Sequence, residues 1–157
     1  MRGFQFNPEG IAIALFNLIS TAVSANELSF PLISRNASLL QDPDMALLPS
    51  LIMVEMGGTQ DQKQARGLGQ YLLQYVVVIR TAPSSDPNPI NLPQTFLNKA
   101  WSAIDTALKS IPEGDYQTLG GIVTNAWIEG PVLMQPGVLK NLMPSVEIPI
   151  KVQLGIR

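Results

Sequence analysis

The sequence predicts an α+β fold: a single two-layer domain, with two main helices packed on one face of a mostly antiparallel sheet of about four to five strands. Three observations carry this. Two segments repeat apolar residues at helical spacing, and three others alternate apolar with polar residues at a period of two. The strand-like segments also follow one another as hairpins instead of alternating with helices, which separates α+β from α/β. The length, 157 residues, suits one core, so residues 1–157 are read as one unit.

The first helix is expected over residues 8–23. Asn7-Pro8-Glu9 supplies a cap, a pre-set φ and an acid for the helix dipole, and Ile11, Leu15, Leu18, Ile19 and Ala22 form one stripe. The same stretch imitates a leader peptide, with Arg2 in front and Val23-Ser24-Ala25 behind. Glu9 and Asn17 interrupt that pattern, so an amphipathic helix is expected, and its apolar run is too short to span a membrane.

FPLISR (30–35) reads as a short strand. LPSLIMVEM (48–56), apolar on both faces except Glu55, reads as a central one. QYLLQYVVVIRT (70–81) places Tyr71, Leu73, Tyr75, Val77 and Ile79 on one face. Together residues 48–81 form a long hairpin, with the polar, glycine-rich 57–69 as its mobile tip. A proline-rich linker leads to a second helix over 92–111, with Asn91 as cap and Gln94 at the capping-box position. Its buried stripe is Leu97, Ala100, Trp101, Ile104, Leu108 and Ile111.

Two C-terminal strands follow, over 121–130 and 145–155. In the second, Val146, Ile148, Ile150, Val152 and Leu154 alternate with Glu147, Pro149, Lys151 and Gln153. Pro149 lacks an N–H, so this strand is expected at an edge or paired through acceptors at that point. The connection 131–143 carries Val132, Leu133, Met134, Val138, Leu139, Leu142 and Met143, an apolar load suited to a contact surface.

Composition removes many functions. There is no Cys and no His, so thiol and imidazole chemistry and zinc sites built from these side chains are excluded. No paired carboxylates stand at hydrolase spacing around Glu129. No enzyme activity, cofactor or metal is expected. The net charge is −2 and the basic residues are scattered, which leaves no electrostatic footprint for gripping nucleic acid. Charged residues make up 14% of the chain, against roughly 25% in an ordinary soluble domain, so part of the surface is expected to be covered by other chains. Gly120-Gly121 lies between helix and strand, the reverse of a phosphate-binding loop, and no Lys-Ser/Thr follows. The pair is read as architecture.

The ordered set QTLGGIVTNAWIEGPV (117–132) and VEIPIKVQL (146–154) resembles the C-terminal half of the phage tail terminator family, the minor tail proteins that close the tail tube of long-tailed phages. The likeness rests on Thr118, Leu119, Gly120, Gly121, Val123, Trp127, Ile128, Glu129, Gly130, Pro149 and Ile150. The upstream order of elements agrees from about residue 45. The resemblance implies a virion protein forming a homo-hexameric ring on the last ring of tail tube protein. It would stop tube polymerisation and present the docking surface for the head–tail connector, while DNA passes through the lumen without specific binding. A head-completion or connector-stopper protein of the same neck is the alternative. Candidate partner contacts are Gln60, Asp61, Gln62, Lys63, Gln64 and Arg66 in the hairpin tip, and Met134, Val138, Leu139 and Met143 in the late connection.

Overall fold

The structure is a computed structural model and describes residues 6–41, 44–61, 70–88, 92–137 and 143–155. Helix α1 (Pro8–Ala25) is followed by strand β1 (Leu32–Ser34), two 3-10 turns (Ala37–Leu40 and Met45–Leu47), β2 (Ser50–Asp61), β3 (Gln70–Arg80), α2 (Pro93–Lys109), β4 (Asn125–Ile128), β5 (Leu133–Gln135) and β6 (Ser145–Gly155). The domain is α+β, with a mixed sheet in the order β1-β2-β3-β6-β4. β5 pairs with β6 as well, and among the described residues only the β1–β2 pair is parallel.

α1 starts where its cap dictates. Asn7 Oδ1 accepts from the Gly10 N–H at 3.0 Å, and Pro8 occupies the first turn, where its missing N–H leaves nothing unpaired. By length and composition this helix could cross a membrane. Its stripe is instead engaged inside the domain: Ile11, Ala12, Leu15, Ile19, Ala22 and Val23 are buried. α2 contributes Leu97, Ala100, Ala103, Ile104 and Leu108, while Trp101 is half-buried and Ile111 lies beyond the helix end. The expected cap differs. Leu92 takes the N-cap position without a side-chain bond, Pro93 opens the first turn, and Asn91 lies outside the described residues.

Both helices pack on one sheet face. That face carries Leu51 and Met53 from β2, Leu73, Tyr75, Val77 and Ile79 from β3, and Val146, Ile148, Ile150, Val152 and Leu154 from β6. Each fully buried Leu or Ile there contributes about 1.5–3 kcal/mol. The Tyr75 phenol is pushed up to about 12, by burial first and then by the carboxylate of Glu55 opposite it, so it stays protonated.

β2 continues past residue 56, where a loop was expected, through Asp61. Glu55 pairs with Tyr75 and Gly58 with Leu73, so Met56 and Gly57 together face the single residue Gln74. This bulge lets the strand pass through its glycines. Gly57 takes a φ of +75°, and a Cβ on Gly58 would lie 2.2 Å from the Leu72 carbonyl oxygen. The hairpin tip is therefore shorter than 57–69.

β6 is not an edge strand. It lies between β3 on one side and β4 and β5 on the other. Pro149 pairs with Val76, yet its carbonyl accepts from the Glu129 N–H at 3.1 Å, on the β4 side. In an antiparallel strand the N and O of one residue point the same way. The missing N–H of Pro149 therefore faces the break between β4, which pairs with residues 150–153, and β5, which pairs with 145–147. Gly130, at φ +91°, passes Pro149 in that break. Proline fits in an interior strand here because no donor is required of it.

Arg35, just after β1, ties three elements. Its guanidinium bonds Glu9 of α1 and reaches Glu55 of β2 at 2.9 Å. The hydrogen bond to Arg35 is the main reason the exposed Glu9 carboxyl lies below the usual carboxylate range. A depressed folded-state value means this stabilisation is complete above that range and is lost as pH falls through the folded value. Arg35→Met should therefore flatten the acid limb of the stability curve, as read by thermal melts from about pH 7 to about pH 3.

Candidate interaction surface

The motif residues do not gather at one point; they flank the two ends of β4. Before β4, Leu119, Gly120 and Gly121 adopt positive φ of 51°, 81° and 94° in succession. The Thr118 carbonyl accepts from the N–H groups of Gly121, Ile122 and Val123 at 3.0, 3.0 and 3.1 Å, and Thr118 Oγ1 accepts from Gly121 as well. These N–H groups are engaged with protein and cannot cradle an anion. The turn also replaces the first four residues of the expected 121–130 strand: Val123 is buried and Ile122 is exposed. The glycines are architectural. A Cβ on Gly121 would meet nothing within 4 Å, so Gly121→Ala should cost only its backbone strain, about 1–2 kcal/mol, in a denaturant melt.

Gln117, which opens the stretch 117–132 but is not among the residues that carry the likeness, holds this turn to α2. Its amide donates to the carbonyls of Ala107 and Leu108, and its oxygen accepts from the Leu119 N–H at 3.1 Å. It adds a donor at the helix end, to the Leu108 carbonyl and, alongside the Ser110 N–H, to that of Ala107. A polar side chain just past a helix is the signal that could have marked it.

After β4, Glu129 accepts from the Trp127 indole at 2.8 Å and pairs with Lys151 at 3.5 Å. Both contacts hold the indole. Ile128 and Ile150 pair across the ladder on the core side.

The candidate contacts divide. Gln60 is exposed and its amide donates to Tyr71 Oη at 2.9 Å. Asp61 ends β2. Gln62, Lys63, Gln64, Arg66, Val138 and Leu139 lie outside the described residues, as does the side chain of Asp61. Met134 packs against the core and Met143 is half-buried. Leu133, which pairs with Glu147, is the exposed residue of that segment at 56%.

The feature that these residues border is the second face of the sheet. At one end the 3-10 turns cover it: Arg80 donates to the Leu40 carbonyl at 2.9 Å, and Ile52 and Val78 are buried there. Beyond them no helix covers it among the described residues. Val54, Val76 and Pro149 lie side by side in register, half-exposed, with Leu133 nearby and Met56 59% exposed in the bulge. Glu147, Lys151, Glu129 and Arg80 balance in sign on or beside this face. The described residues contain no group of three or more acidic, Cys or His side chains able to hold a metal.

Such a face is suited to packing against another surface, and its mixed charge offers no track for phosphates. No protein-family model matches this sequence, and a search of the curated proteins finds no match.

Proposed function

We propose that this chain is a structural virion protein, a subunit of a homo-hexameric ring that caps the head-proximal end of a phage tail tube. The ring ends tube polymerisation and forms the docking surface for the head–tail connector. The observation that carries this reading is the apolar strip Val54–Val76–Pro149 on an uncovered sheet face, in a chain whose charged fraction is 14%. The resemblance of residues 117–132 and 146–154 to tail terminators names the assembly that such a strip would serve. Capping works by complementarity: one side of the ring repeats the contact between tube rings, and the other lacks the edges that accept a further ring. A ring needs a heterologous contact between different patches of neighbouring copies.

The test is native mass spectrometry and negative-stain imaging of the protein alone and mixed with purified tail tubes. Rings seated on one tube end are expected. A protein that stays monomeric with tubes present, or that binds filled heads in preference to tubes, overturns the reading, the second outcome in favour of a connector-stopper.

A further inference from the structure

We propose that the groove along the outer side of β4 docks an extended peptide segment of another protein, one that alternates apolar and basic side chains and adds to β4 as a further strand. This does not depend on the ring reading. It rests on a backbone edge, an apolar seat and a charge, all beside β4.

The edge comes first. β4 ends the sheet order and pairs with β6 alone, so its outward N–H and C=O groups have no strand partner among the described residues. Edges left bare invite pairing, and proteins usually blunt them with Pro, Lys or a bulge. The residues of β4, Asn125-Ala126-Trp127-Ile128, carry none of these.

Beside this edge run two adjoining cavities of about 380 and 340 Å³, which share Leu108, Lys109, Ala126 and Trp127. The chain has two tryptophans, and both line the first cavity, with Val132 at its end. Trp101, from α2, seats the groove on the helix side with Leu108 and Val132, whereas Trp127 borders it through β4 and turns its indole to the open face, where Glu129 fixes it. A trough beside an unpaired strand, with a large apolar seat in it, is the geometry of strand addition: main-chain bonds supply affinity and alternate side chains supply selectivity.

Charge selects the occupant. Asp105 and Lys109 neutralise each other at 3.0 Å. Glu113 and Asp115 also line the groove, are exposed, and have no ion-pair partner among the described residues. The groove is therefore negative, and a segment with Lys or Arg between its apolar residues complements it. A second copy offering its own edge strand β1 suits the groove less well, because the cation beside that strand, Arg35, is committed to Glu9 and Glu55. Four residues of β4 span about 13 Å, which fixes the length of the paired segment at four or five residues.

The experiment titrates the full chain with a short acetylated peptide alternating Lys with Val and Ile, read by the emission of the two groove tryptophans. A saturable shift is expected. It should weaken by about threefold to tenfold in the double variant Glu113→Gln, Asp115→Asn, since each exposed charge contributes modestly. It should disappear when the peptide nitrogens facing β4 are methylated, because the main-chain bonds are then lost while charge and apolar surface remain. The proposal is overturned if the methylated peptide or a Glu-for-Lys counterpart binds as well. No shift at about 1 mM peptide also overturns it. So does sedimentation showing that the chain alone self-associates through this groove, which would make the occupant a second copy.

Discussion

A single methyl group added at Gly58 is expected to cost the fold about 3 kcal/mol. The added Cβ would lie 2.2 Å from the Leu72 carbonyl oxygen and 2.9 Å from Leu73 Cα, both backbone atoms of the partner strand that cannot rotate away. Relief requires the two strands to separate or the bulge to move. Moving it by one residue would turn the side chains beyond it to the opposite face. Gly58→Ala should therefore lower the midpoint of denaturant unfolding sharply and lose hydrogen-exchange protection over 58–61 and 70–73. Gly57→Ala is the control. Its Cβ would meet nothing within 4 Å, and only the strain of φ +75° is added, about 1–2 kcal/mol. Equal stability of Gly58→Ala and the parent would mean that the bulge is not where it is described.

Val76→Asp is expected to abolish assembly while leaving the subunit folded. Val76 is half-exposed on the open face, between Val54 and Pro149, so the free subunit keeps its new carboxylate hydrated and loses only about 1 kcal/mol. In a ring or cap that buries this strip, the same carboxylate is desolvated without a partner at every repeat, a cost of several kcal/mol per contact. Association should fall at least about a hundredfold, with no rings on tube ends in negative stain and an unchanged circular dichroism spectrum. Thr106→Asp, an equal charge on an exposed position of α2, should assemble as the parent does. Capping by Val76→Asp at the parental level would remove this face from the interface.

The parts of the fold legible in the sequence are those with a sustained period. Asn7-Pro8-Glu9 and a helical stripe located α1 to within two residues of its C-terminal end, and strict alternation located β3 and β6. What alternation could not give was pairing. The parallel neighbour β1 and the three-residue β5 are too short to show any period. The polar, glycine-rich composition of Gly57 to Asp61 suggests a loop and hides a plainer clue. A β3 of eleven residues needs a partner of matching length, and the strand expected over 48–56 falls short of it. Pro149 allows either an edge strand or an interior one paired there through its acceptor alone, and the structure takes the second: its carbonyl accepts from the Glu129 N–H where the facing strand is interrupted. For the surface, the methionine-rich composition of 131–143 points to Met134 as a contact, yet Met134 packs against the core and its neighbour Leu133 is exposed. The open face itself had a compositional shadow in the low charge, but composition carries no address.

The break opposite Pro149 also decides where this chain can tolerate changes in length. β4 and β5 hang from β6 through separate registers, and Gly130 to Val132 between them belong to neither. One or two extra residues there would bulge into solvent and leave both pairings as they are. A single insertion between Val146 and Ile148, by contrast, would exchange inside for outside along the rest of the central ladder. A hinge for growth thus sits directly beside the least elastic strand of the molecule.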